Sequence, residues 1–229
     1  MKARPAAVLT DIEGTTTPIA FVHRTLFPFA RARLPAFLAA HAANPAVGAI
    51  LDEVQTLAPG EAPVDALLGW LDADAKVTPL KELQGLIWRE AYAGGTLHAE
   101  VYADVPPMLR AWHAGGVRLA VYSSGSVEAQ KQLFAHTQAG DLTGLFDGFF
   151  DTRSGAKREA DSYRTIAGEL ALPPAAILFL SDVEAELDAA EAAGMRVCQL
   201  VRAEDGTVAS SRHPVAADFG DVAAAFDLV

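Results

Sequence analysis

The stretch Ala6-Ala7-Val8-Leu9-Thr10-Asp11-Ile12-Glu13-Gly14-Thr15-Thr16-Thr17 runs from apolar residues straight into two carboxylates, a glycine and three hydroxyls. An apolar run bounded by a turn signal is the pattern of a buried strand in a parallel sheet, and such sheets bind ligands at the carboxyl ends of their strands. The pattern puts Asp11 at that end. A carboxyl with an ordinary pKa of about 3.9 is an anion at neutral pH, able to attack phosphorus without an activating base. Taken alone, an acid after a strand is more often a helix cap or turn residue, so the rest of the chain decides.

Four further segments repeat the form of strand, loop and helix. Val117 to Tyr122 reads as a strand before Ser123-Ser124-Gly125-Ser126, with a helix from Val127 to His136. Phe149-Phe150-Asp151 is a shorter strand before a polar loop to Arg158 and a helix from Ala160 to Leu170. Ile177 to Leu180 is a strongly apolar strand ending in Ser181-Asp182, and the helix after it stops at Gly194. Arg196 to Val201 is the last strand. Alternating strands and helices imply right-handed crossovers and a parallel α/β sheet covered on both faces. Residues 18 to 98 break the alternation and read as helix throughout, with Pro28 and Pro35 limiting the first helix. Leu67, Leu68, Trp70, Leu71 and Leu83, Leu86, Ile87, Trp88 form apolar faces of the kind that pack a helical core. The expected organisation is therefore a core from residues 1–17 and 99–229 with a helical cap over 18–98, the return marked by Asp104-Val105-Pro106-Pro107.

At 229 residues, with 51% hydrophobic and 21% charged residues, the chain has the composition of a globular protein. Its net charge of -11 argues against a nucleic-acid surface, which needs clustered Lys and Arg. The single cysteine, Cys198, excludes an intramolecular disulfide and reads as a small buried hydrophobe in the last strand. The apolar stretch after Lys2 and Arg4 meets Asp11 too soon for a leader, and no run reaches the ~18 apolar residues of a membrane span. The expectation is a cytoplasmic monomer with no membrane and no nucleic-acid partner. The six histidines show no H-x-H or H-E-x-x-H spacing, so a zinc site is not expected.

Phosphoryl transfer needs an in-line nucleophile, cations on the transferring oxygens and donors that hold the phosphate in register. The strand ends offer those parts. Asp11 is the candidate nucleophile, with Glu13 a second carboxyl two residues on. Ser123 and Ser124 suit phosphate oxygens, and Lys157 brings an ammonium from a glycine-containing loop. Asp182 completes an oxygen-rich site for magnesium, which uses one or two carboxylates and keeps waters. The plainer readings are a solvated Lys157-Arg158 pair and a serine loop that only caps a helix. Asp182 and Glu186 share i,i+4 spacing, which fits either a residue behind the metal or a solvent-facing helix acid.

This order of motifs resembles the haloacid-dehalogenase-like phosphotransferases: an acid pair after the first strand, Ser or Thr after the second, a Lys, then a final acid. The resemblance implies a Rossmannoid parallel sheet with a helical cap inserted after the first strand. In the usual pattern the second acid of the pair is Asp, where this chain has Glu13. A closer resemblance, to the acireductone synthase family of methionine salvage, accounts for that Glu. It is carried by Asp11 to Ile19 with Phe21-Val22-His23, by Thr78 to Lys81 and Gly85 to Trp88, and by Val121 to Lys131. Lys157 to Tyr163, Leu180 to Val183 and Glu186 to Ala190 extend it, so that it spans residues 8 to about 205.

The family resemblance implies a magnesium-dependent phosphoric monoester hydrolase that enolises a phosphorylated methylthio-diketopentane and then dephosphorylates it to the acireductone. It implies Asp11, Glu13 and Asp182 around Mg2+, Ser123 and Ser124 on the substrate phosphate, and Lys157 on phosphate and nucleophile. Glu13 is the candidate enolisation base, with a water or another acid as the alternative. The competing readings are a phosphatase of the same superfamily acting without enolisation, and a signalling receiver module. A receiver needs about half this length and no helical insertion.

The position of the insertion directly after the nucleophile loop, with every reactive group outside it, predicts that the cap selects the substrate. Phe21 and His23 are the residues nearest in sequence to reach inward, with core packing the plainer role for Phe21. Substituting inward-facing cap residues is expected to change preference between the diketo phosphate and a simple aryl phosphate more than it changes aspartyl-phosphate formation. Equal losses on both substrates in folded protein would refute that division of labour.

Overall fold

Every residue of the first strand, β1 (Ala7–Thr10), is buried, because its alternating side chains enter two different apolar layers. Ala7 and Leu9 join a cluster with Tyr122, Phe150, Tyr163, Ile166, Phe179 and Leu187. Val8 faces the other way, among Leu109, Trp112, Leu178, Leu200, Phe219 and Val222. A strand covered on both faces belongs in the middle of a parallel sheet. In this computed structural model, which describes residues 4–73, 75 and 77–229, that is its place. Met1 to Ala3, part of the stretch read for a leader, and positions 74 and 76 of the helical region lie outside the described residues.

The chain divides into two compact units, one built from residues up to 19 and from 99 onward, the other from residues 20–98. The first unit holds β1, β2 (Arg118–Tyr122), β3 (Gly148–Phe150), β4 (Ile177–Ser181), β5 (Arg196–Leu200) and β6 (Val215–Ala216). Their order is β3-β2-β1-β4-β5-β6 and each pairing is parallel. The two-residue β6 has no signature in the sequence, since so short a strand carries no alternation.

Among the described residues there are ten α-helices in chain order, beginning with α1 (Ile19–Phe21), α2 (Phe27–Ala40), α3 (Pro45–Leu57), α4 (Pro63–Asp72) and α5 (Thr78–Ala93). The rest are α6 (Val105–Ala114), α7 (Val127–Ala135), α8 (Ala160–Glu169), α9 (Glu184–Ala192) and α10 (Phe219–Phe226). The cluster of Ala7 and Leu9 includes residues of α8 and α9, whereas that of Val8 includes residues of α6 and α10. Among the described residues no single helix is long and apolar enough to cross a membrane.

The second unit packs α2 to α5 around Leu34, Val47, Val54, Leu67, Leu83 and Ile87. Prolines start α3, α4 and α5 at positions where the missing N–H has no helical partner, and the Asn44 side chain caps α3 by accepting from Ala46 N–H at 3.0 Å. Pro35 does not end the first long helix as its sequence position predicts. It lies inside α2, where the buried Ala30 and Leu34 keep the helix continuous through the lost hydrogen bond. A π-helical segment, Val22–Leu26, precedes α2, and the Trp88 indole donates to its Leu26 carbonyl at 3.0 Å. Phe21 is core, while His23 is exposed with its ring edge toward Phe27.

Cys198 lies fully buried in β5, and burial pushes its thiol up to about 12. A thiol reagent at mildly alkaline pH is therefore expected to find no reactive group in the native protein and one equivalent in denaturant. Prompt reaction of the native protein would show that β5 is not closed as described.

Candidate active site

The sheet order turns at β1, whose neighbours β2 and β4 lead away to opposite edges, so three strand ends meet at the carboxyl side. Asp11, Ser123 and Asp182 are the first residues beyond those ends. The Asp11 amide continues the sheet by donating to Leu180 at 2.9 Å, which turns its buried side chain into the crevice. Asp11 Oδ1 accepts from the Ile12 N–H at 2.7 Å and meets Lys157 Nζ at 2.6 Å, so the carboxylate has a fixed rotation. Glu13 is half-buried, with its backbone bridged to Thr17.

Lys157 is not half of a solvated surface pair. Its side chain is 10% exposed, and its ammonium also meets Glu186 Oε2 at 2.6 Å, while Arg158 is exposed. Burial by itself would lower the Lys157 pKa, but the charges of Asp11 and Glu186 outweigh it and hold the pKa above its ordinary value. Glu186 is the residue whose place the sequence left open, and the structure buries it. Its Oε2 also accepts from the Ser181 hydroxyl at 2.9 Å.

The loop after β2 is braced from below. Ser123 N–H donates to Phe150 at 3.1 Å, and the Gln130 amide donates to both Gly125 and Phe150 carbonyls at 2.8 Å. Ser126 caps α7 by accepting from Ala129 N–H, and Asp151 accepts from Val127 N–H. Ser123 is buried and Ser124 exposed beside this helix N-terminus, where backbone donors and the helix dipole favour an anion.

The carboxylates outnumber the cation among them. Burial first, then the charge of Asp11, pushes Asp182 up to about 7, and the same two causes push Glu186 up to about 7. Asp182 Oδ1 is buried without a partner. Its Oδ2 stands where a Cβ on Gly14 would come within 2.5 Å, so Gly14 leaves the space into which this carboxylate projects. An orphaned carboxylate oxygen beside another buried carboxylate is a donor set that fits a hard divalent cation. Among the described residues no three His, Cys, Asp or Glu side chains form a metal cage by themselves, so backbone oxygens, waters or substrate would complete the shell.

Two groups that sequence reasoning missed hold the nucleophile loop. Buried Arg202 pairs with both oxygens of Asp104 at 2.9 and 3.0 Å, donates to the Thr15 carbonyl at 2.9 Å and lies 4.0 Å from the Tyr102 ring centroid. Asp205 accepts from the Tyr102 hydroxyl and from the Ile19 N–H, and Tyr102 N–H donates to Thr16 at 3.0 Å. No motif marks this segment after β5, where Arg202 and Asp205 stand among ordinary charged loop residues. A cleft of about 430 Å³ lies elsewhere, within the helical unit between α2 and α5, and holds none of the strand-end residues.

A model of the haloacid dehalogenase-like hydrolases matches residues 5–194. The enolase-phosphatase E1 of Granulibacter bethesdensis is 60% identical over 225 residues, 98% of this chain and 97% of that protein. The chain belongs to the haloacid dehalogenase-like hydrolases, in the enolase-phosphatase E1 group. The enolase-phosphatase E1 of Acidiphilium cryptum is 58% identical over 99% of this chain and 98% of its own length. Among solved structures, the UTR4 protein from Saccharomyces cerevisiae has a TM-score of 0.82 at 33% identity, covering 93% of this chain and 98% of that one. CbbY from Rhodobacter sphaeroides, solved in complex with phosphate, has a TM-score of 0.65 at 19% identity, covering 97% of this chain and 99% of that one, and shares the haloacid dehalogenase-like fold. Membership in this family sets the receiver-module reading aside.

Arg202→Met would leave the Asp104 carboxylate with only the Phe219 N–H and without its cation, and the Thr15 carbonyl without its Arg202 donor. Breaking a buried pair in this way is expected to cost about 3–5 kcal/mol in chemical denaturation. Faster amide exchange should appear first across Thr15 to Ile19. A loss below about 1 kcal/mol, with unchanged exchange there, would refute the anchoring role.

Proposed function

We propose that this haloacid dehalogenase-like hydrolase is an acireductone synthase, converting a phosphorylated methylthio-diketopentane to the acireductone by enolisation and then dephosphorylation. The observation that carries the reading is the Lys157 ammonium held at 2.6 Å from both Asp11 and Glu186, beside the braced serine loop. It sets a cation against the buried Asp11 carboxylate and holds it aimed from the end of a central strand, which phosphoryl transfer to Asp11 requires. The near-full-length relatives named enolase-phosphatase E1 supply the enolisation half.

Asp11, Glu13 and Asp182 would hold Mg2+, which when bound neutralises phosphate charge and polarises the ketone oxygen. Ser123 and Ser124 hydroxyls, with the amides opening α7, hold the phosphate oxygens. Glu13 moves the proton from the carbon beside the ketone to the ketone oxygen, giving the enol phosphate. Asp11 then attacks phosphorus while the bond from phosphorus to the substrate oxygen breaks. That oxygen leaves as an anion and takes a proton from solvent, and the water that later cleaves the aspartyl phosphate gives its oxygen to phosphorus, releases a proton and restores the Asp11 carboxylate. Lys157 stabilises both the nucleophile and the transferring oxygens. On the same reading the enzyme acts as a cytoplasmic monomer on a free small molecule. The acidic net charge and the single, buried thiol support that setting.

Incubation with the synthetic diketo phosphate and magnesium is expected to give enol absorbance followed by free phosphate. Phosphate release with no enol signal would leave a phosphatase without enolisation and overturn the reading. Asp11→Asn is expected to cut phosphate release by on the order of a thousandfold or more while the far-ultraviolet dichroism stays unchanged. Near-normal release from that folded variant would reject Asp11 as nucleophile.

A further inference from the structure

The backbone that delivers Lys157 is held in an unusual way. Three consecutive carbonyls of its loop each accept a hydroxyl from a buried side chain. Tyr122 donates to Gly155 at 2.9 Å, Ser162 to Ala156 at 2.7 Å and Tyr163 to Lys157 itself at 2.7 Å. All three side chains are buried, and the two phenol rings meet edge to face at 5.4 Å. The loop passes close to this layer because Gly155 takes φ +122°, and a Cβ there would collide with the Ser162 hydroxyl. Tyr122 is the last residue of β2 and so adjoins Ser123, while Ser162 and Tyr163 lie in the opening turn of α8.

We propose that Tyr163, with Ser162 and Tyr122, forms a positioning cradle that sets where the Lys157 ammonium stands between Asp11 and Glu186. The inference rests on Lys157 acting in phosphoryl transfer, as proposed above. Three hydrogen bonds on successive carbonyls fix the backbone that carries Lys157, which restricts its side chain to the reach that closes both 2.6 Å contacts. A lysine on a loop without such bracing would swing with it, and a misplacement of about 1 Å at a reacting centre costs up to about a hundredfold in rate. Tyr122 joins this bracing to the serine loop, so the Lys157 cation and the Ser123 and Ser124 hydroxyls keep a common register. None of the three residues touches the substrate in this scheme; each acts through Lys157.

The test is a double-mutant cycle between Tyr163→Phe and Lys157→Ala, read as single-turnover phosphate release from an aryl phosphate at high enzyme concentration with magnesium. Tyr163→Phe removes one oxygen and is expected to lower the saturating single-turnover rate by roughly tenfold, with a smaller effect on the enzyme concentration that half-saturates it. In the Lys157→Ala background the same substitution is expected to change the residual rate by less than about twofold, because the group it positions is gone. Ser162→Ala is carried through the same cycle, so that poor folding of one variant leaves the other to decide. Equal losses in both backgrounds, or no loss from either hydroxyl deletion in folded protein, would overturn the cradle while leaving Lys157 in its role. Parental turnover in Lys157→Ala would overturn the role itself.

Discussion

A carboxylate buried as an anion needs an opposite charge or strong hydrogen-bond donors beside it. This crevice gathers Asp11, Asp182 and Glu186 within reach of one ammonium. Isolated in a low dielectric, each of these ions would cost several kcal/mol, on the order of what a whole domain has in net stability. Lys157 is what makes the arrangement tenable, and its ammonium stands 2.6 Å from both Asp11 and Glu186. Burial and the charge of Asp11 still push both Asp182, which lacks such a contact, and Glu186 up to about 7. The residual negative charge is then a standing affinity for a second cation.

The polar scaffold around that point is built mainly from side chains bonded to backbone. Gln130 ties the serine loop to β3, Arg202 and Asp205 hold the nucleophile loop, and Gln199 donates to the Asp182 carbonyl at 2.9 Å and to Val208 at 3.1 Å. Loops at a crevice expose carbonyls and amides that no helix or strand satisfies, and leaving them unpaired in a buried place is costly. A buried side chain that answers such a group does two things together. It removes the penalty and it fixes the loop.

What could be seen in the sequence were features with a local signature. The strands from β1 to β5 showed as apolar runs, and Asp11, Ser123 and Asp182 showed because each follows such a run directly. Glu186 did not declare itself, since one acid at i+4 looks the same facing water or facing a lysine 29 positions earlier in the chain; only the packing of α8 against α9 decides it. Tyr122 read as one more apolar strand residue, and Ser162 and Tyr163 as ordinary helix residues, because a hydroxyl's acceptor is a tertiary fact. Arg202 and Asp205 sit past the last clear strand in a segment without period. Pro35 misled because intrinsic propensity lost to packing on Ala30 and Leu34.

The position of β1 also bears on how the chain assembles. Its two partners begin at Arg118 and Ile177, so β1 leaves the ribosome before either of them and waits for Ile177 until both its hydrogen-bonding edges can be filled. Pairing it closes loops of more than a hundred residues, and contacts of that separation form slowly even though the entropic cost rises only with the logarithm of length. The pairs β2–β3 and β4–β5 span far shorter stretches and can nucleate first, leaving a slot between β2 and β4. The strand that bears the nucleophile is then the wedge that closes the sheet, and nascent chains short of β4 are left with an open edge prone to pairing with one another.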